Sequence, residues 1–408
     1  MTTPIQASRA MNGPDVEVAI VGGGLIGCMS AYELRKRGRS VIVLERELIG
    51  GQSSGVSFGS LRLQGQHEPE LALALRSQAL WEGVEAEIGE SVEFARQGHA
   101  HLALDGAQEE RLARNADHAR RFGLAIELLG RQETIRRWPF LSEKVRASSW
   151  SATDAVVNPR LVAPAFARAA RRLGATIQER TEVLAADRSA GGFALMCRTK
   201  GGEERAVRVE VLINAAGAWA GTVAGWFGEA IPLFAAGPAE MVTEPLPPFV
   251  ASVMHVVDGS VLFRQTSRGN VMIGGHPRMR VDATRRRARV PAEKMLANLD
   301  KLVAIAPHLR ACTVIRSWTG IEGYLEDMMP VLGASATTPG LFHACAFSGH
   351  GLQLGRAAAV AIAELIAGGT TTMPIASFGI DRFAARTPRE LHSLAEEFQD
   401  DVRRPQRS

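Results

Sequence analysis

Residues 16–46 read VEVAIVGGGLIGCMSAYELRKRGRSVIVLER, and this stretch decides the fold. VEVAIV (16–21) is a nearly continuous apolar run, the pattern of a strand buried on both faces in a parallel sheet. A Gly-rich turn follows, then an amphipathic segment from Leu25 to about Arg37 that Gly38 ends. VIVL (41–44) is a second buried strand, so the stretch is a βαβ unit. Gly22, Gly24 and Gly27 match G-x-G-x-x-G. Gly22 allows the tight turn, Gly24 lets the backbone approach a pyrophosphate, and Gly27 lets helix and strand pack closely. Leu25 and Ile26 open the helix, whose unpaired N–H groups and dipole favour an anion. Glu45, at the end of the second strand, is placed to accept hydrogen bonds from adenosine ribose hydroxyls, and its charge argues against the 2′-phosphate of NADP. The unit specifies a grip on the ADP half of a dinucleotide and leaves FAD and NAD both open.

A chain of 408 residues has room for two domains. Its 46% hydrophobic and 22% charged residues suit a soluble globular protein. The net charge of +4 comes from scattered Arg and clusters such as Arg285, Arg286 and Arg287. No basic stripe interleaved with aromatics occurs, which argues against nucleic acid, while the mild positive field suits an anionic substrate or cofactor. The cysteines, Cys28, Cys197, Cys312 and Cys345, form no CxxC pair, which argues against an iron–sulfur cluster, a structural zinc site or a disulfide framework and points to a reducing cytoplasm. Residues 1–15 are polar, lack a signal-peptide core and are expected to be disordered. Apolar stretches fall short of the roughly 20 residues of a bilayer span, so no membrane span is expected.

Along the chain, helices are expected over 70–90, 107–122, 159–173, near 291–305 and over 352–367, with buried strands at 209–213 and 341–347. Residues 230–320 alternate β-rich runs with turns. The fold class is therefore α/β, a Rossmann-like cofactor domain interrupted by a β-rich α+β substrate domain. The expected boundaries are 16–95, 150–230 and 325–383 for the cofactor domain, 96–149 and 231–324 for the substrate domain, and 384–408 for a peripheral tail. A cleft between the domains is the expected ligand site.

Four further segments carry a resemblance. They are GGQSSG (50–55), containing Gln52, Ser53, Ser54 and Gly55; NAAGAW (214–219), containing Ala215, Gly217 and Trp219; TEVLAAD around Val183; and FSGHGLQ (347–353), containing Gly349, His350, Gly351, Leu352 and Gln353. With the Gly22–Glu45 unit and Arg46, the chain over roughly 16–383 resembles the D-amino-acid oxidase superfamily of flavoproteins. Within it, RSWTGIEGYLEDMMPVLG (316–333), GLFHACAFSGHGLQLG (340–355) and SLRLQ (60–64) look most like the flavin subunit of heteromeric opine and D-hydroxyproline dehydrogenases and hydrogen cyanide synthase. The resemblance implies a glutathione-reductase-type FAD domain and makes these segments FAD contacts, with Val183 against the adenine. It also sets the N-terminus of the last helix toward the flavin pyrimidine edge. It implies oxidation of a C–H bond next to nitrogen in an amino acid, imino acid or secondary amine, with electrons passed to partner subunits. Three departures matter. Gly320-Ile321-Glu322-Gly323 stands where oxidases carry a G-L-R-P carboxylate clamp. No cysteine is found at the flavin-linking position, so FAD is expected to be non-covalent. Met272 stands where sarcosine oxidase has its oxygen-activating Lys, which fits a dehydrogenase.

Four residues are candidates for the substrate side. Arg62 is a carboxylate anchor or an ion-pairing surface Arg, and the planar fork suits the first role. Arg264, in the apolar run VLFRQ, can replace the missing clamp or be structural. Glu322, with Tyr324 shaping the same pocket, can bind a cationic group or pair with an Arg. His350 can hydrogen-bond flavin or substrate. His99 and His101 have metal-like spacing but no third ligand evident in sequence, so no metal site is expected. The alternatives to a dehydrogenase subunit are a self-sufficient oxidase making hydrogen peroxide, a flavin-binding scaffold without catalysis, and an NAD-dependent dehydrogenase.

Overall fold

The computed structural model describes residues 15–189, 191–383 and Phe398. The expectations for residues 1–14 and for the rest of the tail lie outside those residues. Two sheets organise the chain. In the first, eight-stranded sheet, Val16–Val21 lies at the centre, parallel to Val41–Leu44 on one side and to Glu204–Asn214 on the other. Thr176–Gln178 and Leu341–Cys345 extend the parallel core outward, and Val331–Ala334 closes one edge antiparallel. The hairpin Thr181–Ser189/Gly192–Thr199 pairs back onto Glu204–Asn214. The central strands are buried along most of their length because helices cover one face and the hairpin with its apolar cluster covers the other.

The helices Leu25–Lys36, Pro159–Arg172 and Gly351–Gly368 pack together on the first face, with Glu68–Trp81 behind the last. Pro159–Arg172 shows how sequence sets such a helix. Asn158 caps it by accepting from the Arg160 N–H at 3.2 Å, Pro159 takes the first turn, and Gly174 at φ +91° follows its end. Arg356, fully buried, reaches Glu33 at 3.1 Å and Glu87 at 2.7 Å, so an ion-paired bridge fixes the last helix against the first. Gly351–Gly368 is the one described helix long and apolar enough to cross a bilayer, but 67% of it is buried in this packing.

The second, nine-stranded sheet draws on distant segments. His99–Ala103, Ile126–Gly130 and Ala147–Ser151 supply one wing; strands between Phe234 and Tyr324 supply the other. Ala292–Ile305 packs on this sheet over a core that includes Met254, Phe263 and Ile273. The two layers are tied by Trp219 Nε1, which donates to Ala283 O at 3.1 Å, and by Trp318 Nε1, which donates to Val56 O at 2.8 Å. The tail is not peripheral at Phe398. This residue is 1% exposed, packs against Phe234 and Tyr324, and bridges to Arg278, because an aromatic ring loses less by covering that cluster than by staying in water.

Candidate active site

One cavity runs along the C-terminal ends of the parallel strands, bordered by Val21, Leu44, Ala215 and Cys345. This is where open α/β sheets bind ligands, since strand ends and helix starts converge there. At its centre is the glycine turn. Gly22 has φ +110°, and a Cβ on it would lie 2.4 Å from Ala215 O. A Cβ on Gly27 would lie 2.0 Å from Gly22 O, so only hydrogen lets the helix sit so close to the strand. A Cβ on Gly24 would project to 3.1 Å from Ser54 Oγ. The helix that starts after Gly24 has no side-chain cap, and of its first N–H groups Leu25 donates to Ser54 Oγ at 2.9 Å. With Ile26, the rest of the turn offers unpaired donors to an anion.

Glu45 is held from both sides. Its Oε2 accepts the Gly23 N–H at 2.7 Å and its Oε1 accepts the Glu47 N–H at 2.7 Å, which leaves further lone pairs toward the cavity it lines. Arg46 stacks 4.4 Å over the Trp219 ring, and both line the cavity near Val183. Gln52, Ser53 and Ser54 line it at the start of a short helix, Ser53–Val56. Gly217, Gly349, Gly351 and Leu352 also line it. These residues fit FAD: Val183 and Glu45 would hold the adenosine, the glycine turn with Ser53 and Ser54 the pyrophosphate, and Gly349 to Leu352 the flavin.

Four residues expected at the cofactor lie one step behind the cavity wall. Gly27 and Gly55 act by permitting packing; a Cβ on Gly55 would lie 2.3 Å from Gly50 O. Gln353 is buried and donates to Ala74 O at 3.0 Å. His350 Nδ1 is paired with the fully buried Glu70 at 3.0 Å, which anchors the helix start to Glu68–Trp81.

Among the substrate-side candidates, Glu322 lines the cavity, as do Ile321 and Gly323. It is half-buried, accepts a hydrogen bond from Tyr324 Oη, and burial pushes its carboxyl above the usual range against the pull of Tyr324 and the Arg278 and His350 charges. Arg278 stacks 4.9 Å over Tyr324. Arg62 and Arg264 do not line the cavity. Arg62 follows the strand Ser60–Leu61, which pairs with Ala155–Val156 and carries the side chain under the second sheet, where Nη1 donates to Gln64 O at 2.5 Å. Arg264 is buried; its Nε donates to Phe58 O at 3.1 Å, and burial pushes its guanidinium down to about 10. Nearby Glu240 is raised well above the ordinary carboxyl range by burial, with the Glu322 charge adding to the shift.

The sequence reading missed several cavity residues. Cys345 is one; burial pushes its thiol up to about 12, so it stays protonated. Ala346 and Ser348 are others, with φ of +53° and +50°. Non-glycine residues held there carry a backbone cost that functional sites commonly retain, but the local sequence gives no sign of it. Thr181 and Glu182 beside Val183 were within reach of the same signal. The imidazoles of His99 and His101, expected to lack a third ligand, have one beside them in His255.

A parallel sheet with this cradle at its strand ends, overlaid by a largely antiparallel sheet that brings Glu322 to the same cavity, is the arrangement of a dinucleotide-dependent oxidoreductase. The chain belongs to the DAO family of FAD dependent oxidoreductases, whose model matches residues 17–365, and FAD is its cofactor. Glycine oxidase of Geobacillus kaustophilus (strain HTA426) is 28% identical over 375 residues, covering 90% of this chain and 97% of that protein. An opine oxidase subunit of Agrobacterium tumefaciens (strain Ach5) is 28% identical over 386 residues, covering 91% and 99%. The crystal structure of L-proline dehydrogenase from P. horikoshii has a TM-score of 0.84 at 25% identity, with 91% of this chain and 98% of that chain covered.

Proposed function

We propose that this enzyme oxidises the C–H bond next to the nitrogen of an amino acid, imino acid or secondary amine, as the flavin subunit of a heteromeric dehydrogenase. The observation that carries the reading is Glu322, an acid on the wall of the cavity, at the position where the resemblance to amino-acid oxidases implies a basic clamp. FAD, when bound, supplies the two-electron acceptor for hydride at N5, and the imine product hydrolyses in water. Glu322, oriented by the Tyr324 hydroxyl, receives the cationic substrate nitrogen and takes up the proton that must leave it before its lone pair can support loss of hydride, and so holds the donor carbon in place. The helix start at Gly351 and Leu352 offers its N-terminal dipole to negative charge that develops during transfer. Phe347 and Ile321 shield the reacting atoms from water at that end. The protonated Cys345 thiol fits non-covalent FAD.

The names of the opine oxidase subunit and of L-proline dehydrogenase support the substrate class, and the first supports association with a partner. The free thiols Cys28, Cys197, Cys312 and Cys345 suit a cytoplasmic location. Anaerobic addition of hydroxyprolines, prolines, opines, N-methyl glycine and D- and L-amino acids tests the reaction, with bleaching of the flavin by at least one of them expected. No bleaching by any would favour a scaffold. The relation to glycine oxidase supports a second reading, a self-sufficient oxidase. Rapid oxygen consumption by the purified chain with a bleaching substrate would overturn the subunit reading in its favour.

A further inference from the structure

His99 and His101 lie two residues apart on the strand His99–Ala103, so both imidazoles leave the same face of the second sheet. The strand Val253–Val256 runs parallel beside it, in a register that sets His255 directly next to His101. Ring centroids are 5.0 Å apart for His99 and His101, 4.9 Å for His101 and His255, and 5.6 Å for His99 and His255. One ligand nitrogen from each ring lies within 4.8 Å of the other two. His99 and His101 are 1% and 3% exposed. Both ring nitrogens of His99 and of His101, and Nδ1 of His255, are buried without a hydrogen-bond partner. Leaving such a group unpaired costs about 1–3 kcal/mol, so a concentration of them in one place needs an occupant. In its neutral form each imidazole has one ring nitrogen with a lone pair to offer a metal. Behind His99 Nδ1, at 3.9 Å, lies Asp154 Oδ2, also buried and unpartnered.

We infer that His99, His101 and His255 form a three-imidazole site for a divalent transition-metal ion of the Zn²⁺ kind, with Asp154 orienting His99. Imidazole donors select zinc, copper or nickel over magnesium and calcium. Nitrogens at about 2.0–2.1 Å from tetrahedral zinc lie roughly 3.4 Å apart, so modest ring rotations close the present spacing. A carboxylate behind a ligating histidine fixes its tautomer and raises its basicity. Arg62 lies against the cluster; an ideal Cβ on Gly65 would meet its Nη1 at 2.9 Å and His101 Cε1 at 3.1 Å. Its charge opposes a cation, and the nearby Asp154 carboxyl offsets it.

None of these histidines lines the flavin cavity, so the site is separate from it. Its position points to a structural role. Among the described residues, His99–Ala103 and Val253–Val256 are the one parallel pair in the second sheet, and they join its two sequence-distant wings. A metal there would staple these wings together.

The test uses the full FAD-loaded chain stripped on a chelating resin and titrated with Co²⁺, read at wavelengths beyond flavin absorption. One equivalent should develop tetrahedral ligand-field bands that Zn²⁺ displaces, and Zn²⁺ should raise the melting temperature. His101→Gln and His255→Gln should each weaken Co²⁺ binding by roughly 100-fold or more, and Asp154→Asn by about 10-fold, with the flavin spectrum unchanged. Absence of stoichiometric bands in the wild type would overturn the site, whatever the folding of the variants. Unaltered bands in the His101→Gln/His255→Gln double variant would overturn it as well.

Discussion

Replacing Glu45 by Gln isolates the ribose end of the cofactor site, because the two carboxylate oxygens are committed to different donors. Oε2 accepts the Gly23 N–H and Oε1 the Glu47 N–H, each at 2.7 Å. An amide has one acceptor oxygen and one NH₂ group. Whichever way it is turned, its NH₂ faces a backbone N–H, and one hydrogen bond becomes a donor–donor contact. Losing a hydrogen bond to a charged acceptor costs about 1.5–3 kcal/mol. Part of that cost falls on the free protein, where water can rescue the half-exposed site, so roughly 1.5–3 kcal/mol of the combined loss of turn geometry and ribose contact should appear in FAD binding. At about 1.4 kcal/mol per decade, this is a rise in Kd of roughly 10- to 100-fold. Glu45→Ala, which leaves both N–H groups without a side-chain acceptor, should be at the upper end. The assay is titration of apoprotein with FAD, followed by quenching of flavin fluorescence. A Kd within about threefold of wild type for both variants would refute the grip assigned to Glu45.

Glu322→Gln should raise KM for a cationic amine by roughly 10- to 100-fold with a smaller effect on kcat. Since burial raises the Glu322 carboxyl, its anionic form is lost as pH falls through that raised value, so the acid limb of kcat/KM should vanish in the variant; an unchanged pH profile would remove Glu322 from substrate binding. Gly27→Ala places a Cβ 2.0 Å from a backbone oxygen that has no room to move, and should destabilise by about 3 kcal/mol with loss of FAD, seen as a lowered denaturation midpoint. Glu240, whose folded carboxyl is raised well above the unfolded one, binds more protons when folded, so wild-type stability relative to Glu240→Gln should fall as pH rises above the ordinary carboxyl range. Chemical denaturation at a series of pH values checks this, and a parallel pH dependence in the two proteins would show that Glu240 is not the group responsible.

The βαβ unit from Val16 to Glu45 was legible from sequence because every constraint in it is local. Apolar runs specify strands buried on both faces, glycine is demanded by contacts within the turn, and the acid falls at the end of the second strand. Ser53, Gly217 and Gly351 also border the cavity, each at a strand end or helix start marked by small residues, but it was the family resemblance and not a local rule that grouped them with this unit. Side-chain neighbours across sheets were not legible. Arg62 and Arg264 share sequence features with an anchor, yet the pairing of Ser60–Leu61 and the burial of Leu262–Gln265 turn both away from the cavity. The strain at Ala346 and Ser348, and the seating of Phe398 against Tyr324, depend on contacts with distant segments. His99 and His101 announce themselves by spacing, but a third ligand is defined only by register. The parallel alignment of Val253–Val256 with His99–Ala103 sets His255 beside them, and a shift of one residue would turn it to the opposite face. Local chemistry determined the cofactor grip; the register and packing of remote strands decided which charged and metal-binding groups meet.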